Sequence, residues 1–560
     1  MRGFLTLVAL ASLVALSAHA ATGAAQAAAI GVYPSSTTFG LTSAPAGASK
    51  QISLDMAIGE TEDAVVLVTG AQGVAVTTTL DGPVNVDLRF GHYIRFGGKL
   101  IADALPVWDG SSRPTEQRNQ PIWFQFRTPA GTPAGTYTGS VQVSADGVPT
   151  TIPITIKVFP VTLPAPNQVA GSLLTAFNVA GQSYSNKVAS LGGPNGSVTA
   201  PQLYAFLANY RISPSSWGYG APEAKSGYTT DKRWWHDRSG LMTAEVGARE
   251  FAAMSIPISN NRTSAANDIA KISPNAPETW CSYLQAVHTF WQQHDWLASF
   301  PYLYGQDEPG LAGFQLVARQ AKALHQCFPG GNELVTGNPS DTNRFLWNGG
   351  SDDVDVWVVL ASRYYGKYTN PAQVQAHESN ATEKLKLIEQ ARKHAQIWTY
   401  TYAGTKTPGF QATEPLSDAR LFFEWAALEH VTGVLYGEGT TTYGSGNPLQ
   451  SVDKGGEFVL LYPGADGPIP SARLEQIRDG IEDWEILNIV RQKHGAAAVA
   501  KILGNAGLFS TTASGAVALG CTTGCAVKTS TPFSWPKWSS DASTPGRLEQ
   551  AKRAALTAAS

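Results

Sequence analysis

The sequence predicts a multidomain protein in which an N-terminal β-sandwich is followed by a (β/α)8 barrel of the TIM type. Between residues 30 and 160, short β-branched runs alternate with turns rich in glycine and proline, which is typical of a sandwich. After a proline-rich linker at 160–167, buried strands alternate with amphipathic helices, which indicates the barrel. We expect the sandwich at 30–160, the barrel at 168–505 and a C-terminal extension at 506–560.

Residues 1–20 have the features of an export signal peptide. Arg2 supplies a positive charge, residues 4–16 form a short apolar stretch, and Ala18 and Ala20 place small side chains around a cleavage point. No cysteine stands directly after that point to carry a lipid anchor, and no later apolar run approaches the ~20 residues needed to span a bilayer. We therefore expect a secreted or periplasmic protein without a membrane anchor.

The composition excludes some partners and leaves others open. The chain has 40 Lys and Arg residues against 43 Asp and Glu, a formal net charge of −3, so it offers no basic surface for nucleic acid. Aromatic residues make up 10% of the chain, which is too many for a disordered protein. Aromatic side chains suit sugars as ligands, but core packing explains them equally well.

Four cysteines, Cys281, Cys327, Cys521 and Cys525, allow three pairings in an oxidising compartment. We favour Cys281 with Cys327 and Cys521 with Cys525. The last two lack a second ligand pair at zinc spacing, so we expect no metal site. The sequence also has no phosphate-binding loop, and we expect no cofactor.

The carboxyl ends of the predicted barrel strands carry the candidate site residues, because reacting groups of a barrel lie at that end. The fourth strand runs into the two adjacent acids Asp307 and Glu308. The other candidates are Asn338 after the fifth strand, Arg363 and Tyr364 after the sixth, Trp398, Tyr400 and Tyr402 at the seventh, Glu438 after the eighth, and Trp235 in the loop after the second.

Asp307-Glu308 differs from the other adjacent acidic pairs because it ends a buried strand. Glu62-Asp63, Asp352-Asp353 and Glu482-Asp483 are expected on solvated surface. Successive strand residues face opposite sides, which would send one of the two carboxylates outward. Gly305 and Pro309 relieve this problem by ending the strand, so that both side chains approach one cavity. The alternative is that the acidic residues cap the following helix.

Three segments, 301–309, 433–436 and 458–487, resemble the family called DUF4091, which is similar to the catalytic domain of glycoside hydrolase family 123. The most specific stretch is Arg478-Asp-Gly-Ile-Glu-Asp-Trp-Glu485, and the resemblance covers about 167–490. It implies a retaining hydrolase in which the 2-acetamido oxygen of the substrate attacks the anomeric carbon. The characterised family activity is removal of β-linked N-acetylgalactosamine.

The resemblance also implies roles for individual residues. Asp307 would orient the acetamido group and stabilise the oxazolinium intermediate, while Glu308 would protonate the leaving oxygen and then activate water. Tyr400 and Tyr402 would hold the acetamido oxygen. Trp398 would stack on the sugar face, with ordinary barrel packing as the alternative.

Other interpretations stay open at this point. Glu438 could act as the nucleophile with Glu308 as acid/base, which would need no acetamido group. A carbohydrate-binding envelope protein without turnover is a further alternative. Trp235 either forms a sugar platform or packs within its own loop. Arg478 and Glu482 lie four residues apart and are expected to pair on a helix that holds the last barrel helix in place.

Overall fold

The computed structural model describes residues 28–194, 199–215, 250–256, 277–351, 353–361, 364, 381–402, 408–511, 517–519 and 543–560. The predictions for the signal peptide, Trp235, Arg363, and the pair Cys521 and Cys525 lie outside these residues.

The N-terminal region consists mainly of antiparallel strands. Its strands are β1 Ala29–Pro34, β2 Ile52–Ile58, β3 Thr61–Thr69, β4 Gly73–Leu80, β5 Asn85–Phe90, β6 His92–Phe96, β7 Lys99–Ala104, β8 Arg113–Pro114, β9 Asn119–Arg127, β10 Gly135–Ala145 and β11 Val148–Thr162. One sheet has the order β1-β3-β9-β5 and a second has the order β2-β11-β10-β4-β8. Val66 and Phe124 of the first sheet share one buried core with Val143 and Ile154 of the second.

The C-terminal region contains a parallel sheet of seven described strands that nearly closes into a barrel. These are β12 Leu174–Phe177, β13 Ala253–Ser255, β14 Phe300–Gln306, β15 Asn332–Thr336, β16 Val356–Leu360, β17 Gln396–Tyr400 and β18 Gly433–Tyr436. Their order is β12-β18-β17-β16-β15-β14-β13. A parallel bridge between Phe177 and Pro214 places residues 213–215 beside β12, between the two ends of the sheet. The strand and helix alternation predicted from the sequence is therefore present.

The helices of the described residues are α1 Gly181–Ser190, α2 Thr199–Ala208, α3 Pro277–Gln293, α4 Leu311–Cys327, α5 Ala381–Ala391, α6 Ser417–Leu428, α7 Ala472–His494, α8 Ala496–Asn505 and α9 Thr544–Ala559. The part of the chain that the structure describes has five further short strands: β19 Ser451–Val452, β20 Leu461–Tyr462, β21 Ile469–Pro470, β22 Phe509–Thr511 and β23 Val517–Leu519. Within the described residues, no helix is both long enough and apolar enough to cross a bilayer.

Alternating side chains of the barrel strands separate an inner core from an outer one. Tyr302, Leu334, Val358 and Leu435 pack inside the barrel. Their strand neighbours, such as Leu303, pack outward against the helices. This alternation decides which residues at the strand ends can reach the barrel mouth.

A disulfide bond joins Cys281 of α3 to Cys327 of α4, with a Cα–Cα distance of 5.1 Å. This pairing is the one predicted from the sequence. It ties together the helices on either side of β14.

Helix α7 is buried between the N-terminal sheets and the barrel, and Ser471 caps its first turn through Leu474 N at 3.0 Å. Arg478 lies 3.2 Å from Asp63 of β3, and Glu482 lies 3.1 Å from Arg211. The predicted pairing of Arg478 with Glu482 is therefore wrong, because each residue has a partner on another element.

The prediction that Glu62-Asp63 and Glu482-Asp483 lie on solvated surface is also wrong, since all four side chains are buried. Arg420 of α6 forms a two-pronged ion pair with Glu62 at 3.0 and 3.1 Å, and its Nε lies 2.5 Å from Asp483. Burial of these charges is possible because each carboxylate faces a cation.

Candidate active site

The strand that carries the acidic pair contains one extra residue. Tyr304 pairs with Leu334, but the next pair is Gln306 with Val335, so Gly305 has no partner in β15. Such a bulge shifts the alternation of side chains by one position. Asp307 would face the helices in an unbroken strand, whereas after the bulge it lies beside Thr336 on the inner side.

Gly305 is needed at the bulge because the backbone there lies against α4. A Cβ atom at this position would be 2.6 Å from Nε2 of the buried side chain of Gln320. The sequence predicts that Gly305 helps to end the strand. Its function is instead to give the space that lets the extra residue fit against the helix.

Glu308 has a left-handed backbone conformation with φ of +45°. This region is unfavourable for a residue with a Cβ atom, and it is tolerated where surrounding contacts enforce it. The turn brings Glu308 back toward the barrel axis directly after Asp307. Two adjacent carboxylates can therefore face the same cavity.

Thr336, the last residue of β15, contacts both acidic residues. Its Oγ1 donates a hydrogen bond to Asp307 Oδ1 at 3.0 Å and accepts one from the backbone N of Glu308 at 2.6 Å. Tyr304 also donates a hydrogen bond from its hydroxyl to Asp307 Oδ1, at 2.7 Å. The orientation of Asp307 is thus fixed by side chains from two adjacent strands.

Glu308 is held by Tyr400, the last residue of β17, whose hydroxyl donates a hydrogen bond to Oε1. The two carboxylates also differ in exposure, because Asp307 is half-buried and Glu308 is exposed. Glu308 can therefore reach an incoming group from bulk water, while Asp307 lies deeper.

Burial and the nearby Asp307 carboxylate raise the pKa of the Tyr304 hydroxyl. Tyr304 therefore stays protonated at neutral pH and remains a donor toward Asp307.

The sequence left open that the acidic pair caps the following helix. This alternative is wrong, since the N-cap of α4 is Gly310 and no side chain caps it.

Two predicted site residues lie away from this cavity. Trp398 is fully buried in the inner core, where it packs against Phe300 and Tyr302, and its indole N donates to Gln396 at 3.0 Å. Stacking of Trp398 on a sugar is therefore wrong, and the barrel-packing alternative holds.

Tyr364 is 1% exposed and packs edge-on against Trp425 of α6. Its hydroxyl accepts a hydrogen bond from Arg392 at 3.0 Å. This side chain lies among the outer helices, so its assignment to the substrate site is wrong.

Three further candidates follow barrel strands at the same edge as the acidic pair. Asn338 lies two residues after β15, and its backbone O accepts a hydrogen bond from the side chain of Asn343 at 3.1 Å. Tyr402 lies two residues after β17 and is 38% exposed. Glu438 follows β18 and is half-buried. Burial raises the pKa of Tyr436, and the charge of Glu438 adds to the rise. These three keep the positions expected from the sequence.

Tyr304 and Thr336 belong to the site but are not among the residues predicted from the sequence. Both occupy the last inward position of their strands, in register with the acidic pair. A count of inward positions back from the strand ends would have found them.

Among the described residues, no group of three or more His, Cys, Asp or Glu side chains could hold a metal ion.

Comparison with known proteins agrees with this geometry. Residues 244–490 match the family model "Glycoside hydrolase 123, catalytic domain". The structure is similar to a family 123 glycoside hydrolase from Clostridium perfringens, studied for glycolipid glycan hydrolysis, with a TM-score of 0.63 and 12% identity over 95% of this chain and 97% of that one.

A second similar structure is the endo-β-1,4-mannanase of Thermotoga petrophila, with a TM-score of 0.33 and 10% identity over 57% of this chain and 78% of that one. A likeness this low carries no argument. No curated protein matches the sequence significantly.

The barrel, the paired acids at a strand end and the matched catalytic domain define the protein as a glycoside hydrolase. The family model that residues 244–490 match is that of the catalytic domain of family 123.

Proposed function

We propose that the protein is an exported exo-acting glycosidase that removes terminal 2-acetamido sugars with retention of configuration, with β-linked N-acetylgalactosamine as the first candidate. The observation that carries this proposal is that Asp307 and Glu308 lie side by side on the inner side of the barrel mouth. The signal-like pattern at residues 1–20 supports export, and the two N-terminal sheets suit an accessory sandwich beside an eight-stranded barrel.

The proposed mechanism uses the acetamido group of the substrate as nucleophile. Asp307, whose carboxylate is oriented by Tyr304 and Thr336, would hold the acetamido N–H and stabilise the positive charge of the oxazolinium ion. Electrostatic stabilisation of this kind is effective because the carboxylate is already in position before reaction.

Glu308 would first act as a general acid and donate its proton to the leaving oxygen. It would then act as a general base and remove a proton from the water that opens the oxazolinium ring. Its exposure and the hydrogen bond from Tyr400 suit a group that must meet both the leaving group and water.

The test uses aryl β-glycosides of N-acetylgalactosamine, N-acetylglucosamine and the corresponding sugars without an acetamido group. Wild type, Asp307→Asn, Glu308→Gln and Glu438→Gln are compared, with Glu389→Gln as a control because Glu389 is 63% exposed on α5. We expect cleavage of acetamido sugars with the β-anomer formed first, and losses of about 100-fold or more for the Asp307 and Glu308 variants only.

Each alternative gives a different result. Cleavage restricted to sugars without an acetamido group, together with a large loss in Glu438→Gln, would replace substrate assistance with a covalent glycosyl-enzyme route. Glycan binding without any hydrolysis would contradict the proposed activity and favour a carbohydrate-binding protein.

A further inference from the structure

Among the described residues, Thr336 has a hydroxyl oxygen, Oγ1, that is hydrogen-bonded to both acidic residues. It is connected to the side chain of Asp307 and to the backbone of Glu308 at the same time. We propose that Thr336 is a positioning residue that sets the two carboxylates relative to each other, an inference that rests on the proposed function of the pair.

The backbone of Glu308 shows why an acceptor is needed at this place. With φ of +45°, Glu308 occupies a conformation that residues with a Cβ atom avoid unless contacts enforce it. Its N–H points to Thr336 Oγ1 at 2.6 Å, and this hydrogen bond anchors the turn. Without it the turn could relax, and the Glu308 carboxylate would move away from Asp307.

The side chain of Thr336 is suited to this function because it is buried and β-branched. It is 1% exposed, and its χ1 angle is restricted by the second substituent on Cβ. Once Oγ1 accepts from Glu308 N, its single proton is directed to Asp307 Oδ1. The same hydroxyl therefore transmits the position of one acidic residue to the other.

The test compares Thr336→Val, which keeps the shape and removes the hydroxyl, with Thr336→Ser, which keeps the hydroxyl. Thr399→Val is a matched control, because Thr399 is a fully buried strand threonine whose hydroxyl donates to Val359 O at 2.9 Å. Thr399 lies next to Tyr400 in sequence but outside the hydrogen bonds that reach the acidic pair.

We expect Thr336→Val to lower kcat by about 10- to 100-fold while KM changes by less than about threefold, because orientation and not binding is lost. Thr336→Ser should restore kcat to within about threefold of wild type, and Thr399→Val should leave kcat unchanged. The loss in Thr336→Val should grow for aryl glycosides with poorer leaving groups, because these depend most on the general acid.

Equal kcat in Thr336→Val and wild type would overturn the proposal, and so would an equal loss in the Val and Ser variants. A crystal structure of Thr336→Val provides a readout that does not depend on the substrate. We expect Glu308 to leave its left-handed conformation, and an unchanged acidic pair would contradict the inference. Failure of wild type to cleave acetamido sugars would instead count against the proposed function, since the Thr336 effect is measurable on any glycoside that is cleaved.

Discussion

Tyr400 on β17 donates a hydrogen bond to Glu308, which follows β14. Two strands, β15 and β16, separate β17 from β14 in the sheet, so this contact spans the mouth of the barrel. It is possible because Tyr400 occupies the last inward position of its strand and Glu308 turns back from the end of its own. The contact thus joins the general-acid candidate to a phenol on the opposite side of the mouth.

The first prediction concerns this contact. Tyr400→Phe removes the donor to Glu308 and should lower kcat by about tenfold, because one hydrogen bond to a charged group is lost. Steady-state kinetics on an aryl glycoside checks this, with Tyr137→Phe as a control since its hydroxyl bonds only within the N-terminal region, to Pro133 O at 2.8 Å. Equal losses in both variants would show that the contact does not matter.

The second prediction concerns the bulge at Gly305. Gly305→Ala should lower the free energy of unfolding by about 1–3 kcal/mol, because the new Cβ atom meets Gln320. In the double variant Gly305→Ala/Gln320→Ala, at least about 0.5 kcal/mol of that loss should be recovered. Gly310→Ala is the matched control, since no atom lies within 4 Å of the added Cβ. Strict additivity in urea unfolding would contradict the close contact.

The third prediction concerns Lys552 of α9, which is buried and paired with Glu60 and Glu62. Lys552→Met leaves two buried carboxylates without this cation and should cost about 3–5 kcal/mol of unfolding free energy. The adjacent Arg553 is 64% exposed in its pair with Asp55, so Arg553→Met should cost less than about 1 kcal/mol. Similar losses for the two variants would contradict the buried ion-pair network.

The fourth prediction is a pH dependence. His92 of β6 lies 2.9 Å from Glu116 and 2.8 Å from the backbone O of Leu449, in the segment between β18 and β19. The hydrogen bond with Glu116 raises the pKa of His92 above its usual 6.5, while burial and Arg113 oppose the rise. A raised folded-state pKa means that the stabilisation is complete below the unfolded value and is lost as pH rises through the folded one.

The excess stability of wild type over His92→Gln should therefore be largest below about pH 6.5 and decrease at higher pH. Chemical unfolding of both proteins across this range measures the difference. A difference that is constant with pH, or one that grows as pH rises, would show that folding does not raise the pKa of His92.

The order of strands and helices could be predicted from the sequence because it depends on local patterns. Alternating apolar strands and amphipathic helices located β12 and β14 to β18. The adjacent acids stood out for the same reason, since they follow a buried strand directly. The disulfide between Cys281 and Cys327 was also predicted.

The wrong predictions concern how deep a side chain lies in the barrel and which distant residues it contacts. Trp398 and Tyr400 face the same side of β17, but Trp398 is two residues further from the mouth and fills the core. Residue type alone does not distinguish these two depths. The buried acids Glu62 and Asp483 looked like surface residues because their shared cation, Arg420, lies in another segment of the chain.

The details of the acidic pair depend on backbone geometry that has no sequence signature. The extra residue at Gly305 resets the alternation of β14, and the left-handed turn at Glu308 is rare for glutamate. Gln320 leaves no room for a side chain at Gly305, and Thr336 accepts the hydrogen bond that anchors the turn at Glu308. Both residues come from other elements.

The central claim is that Asp307 and Glu308 act on the same sugar ring. The most direct measurement is a crystal structure with a thiazoline derived from N-acetylgalactosamine, a stable mimic of the oxazolinium ion. The account predicts that the thiazoline binds with its ring nitrogen protonated and donates this N–H to the Asp307 carboxylate, while Glu308 lies beside the anomeric carbon, each within about 3.2 Å of its target. A thiazoline bound elsewhere, or bound with either carboxylate turned away, would contradict it.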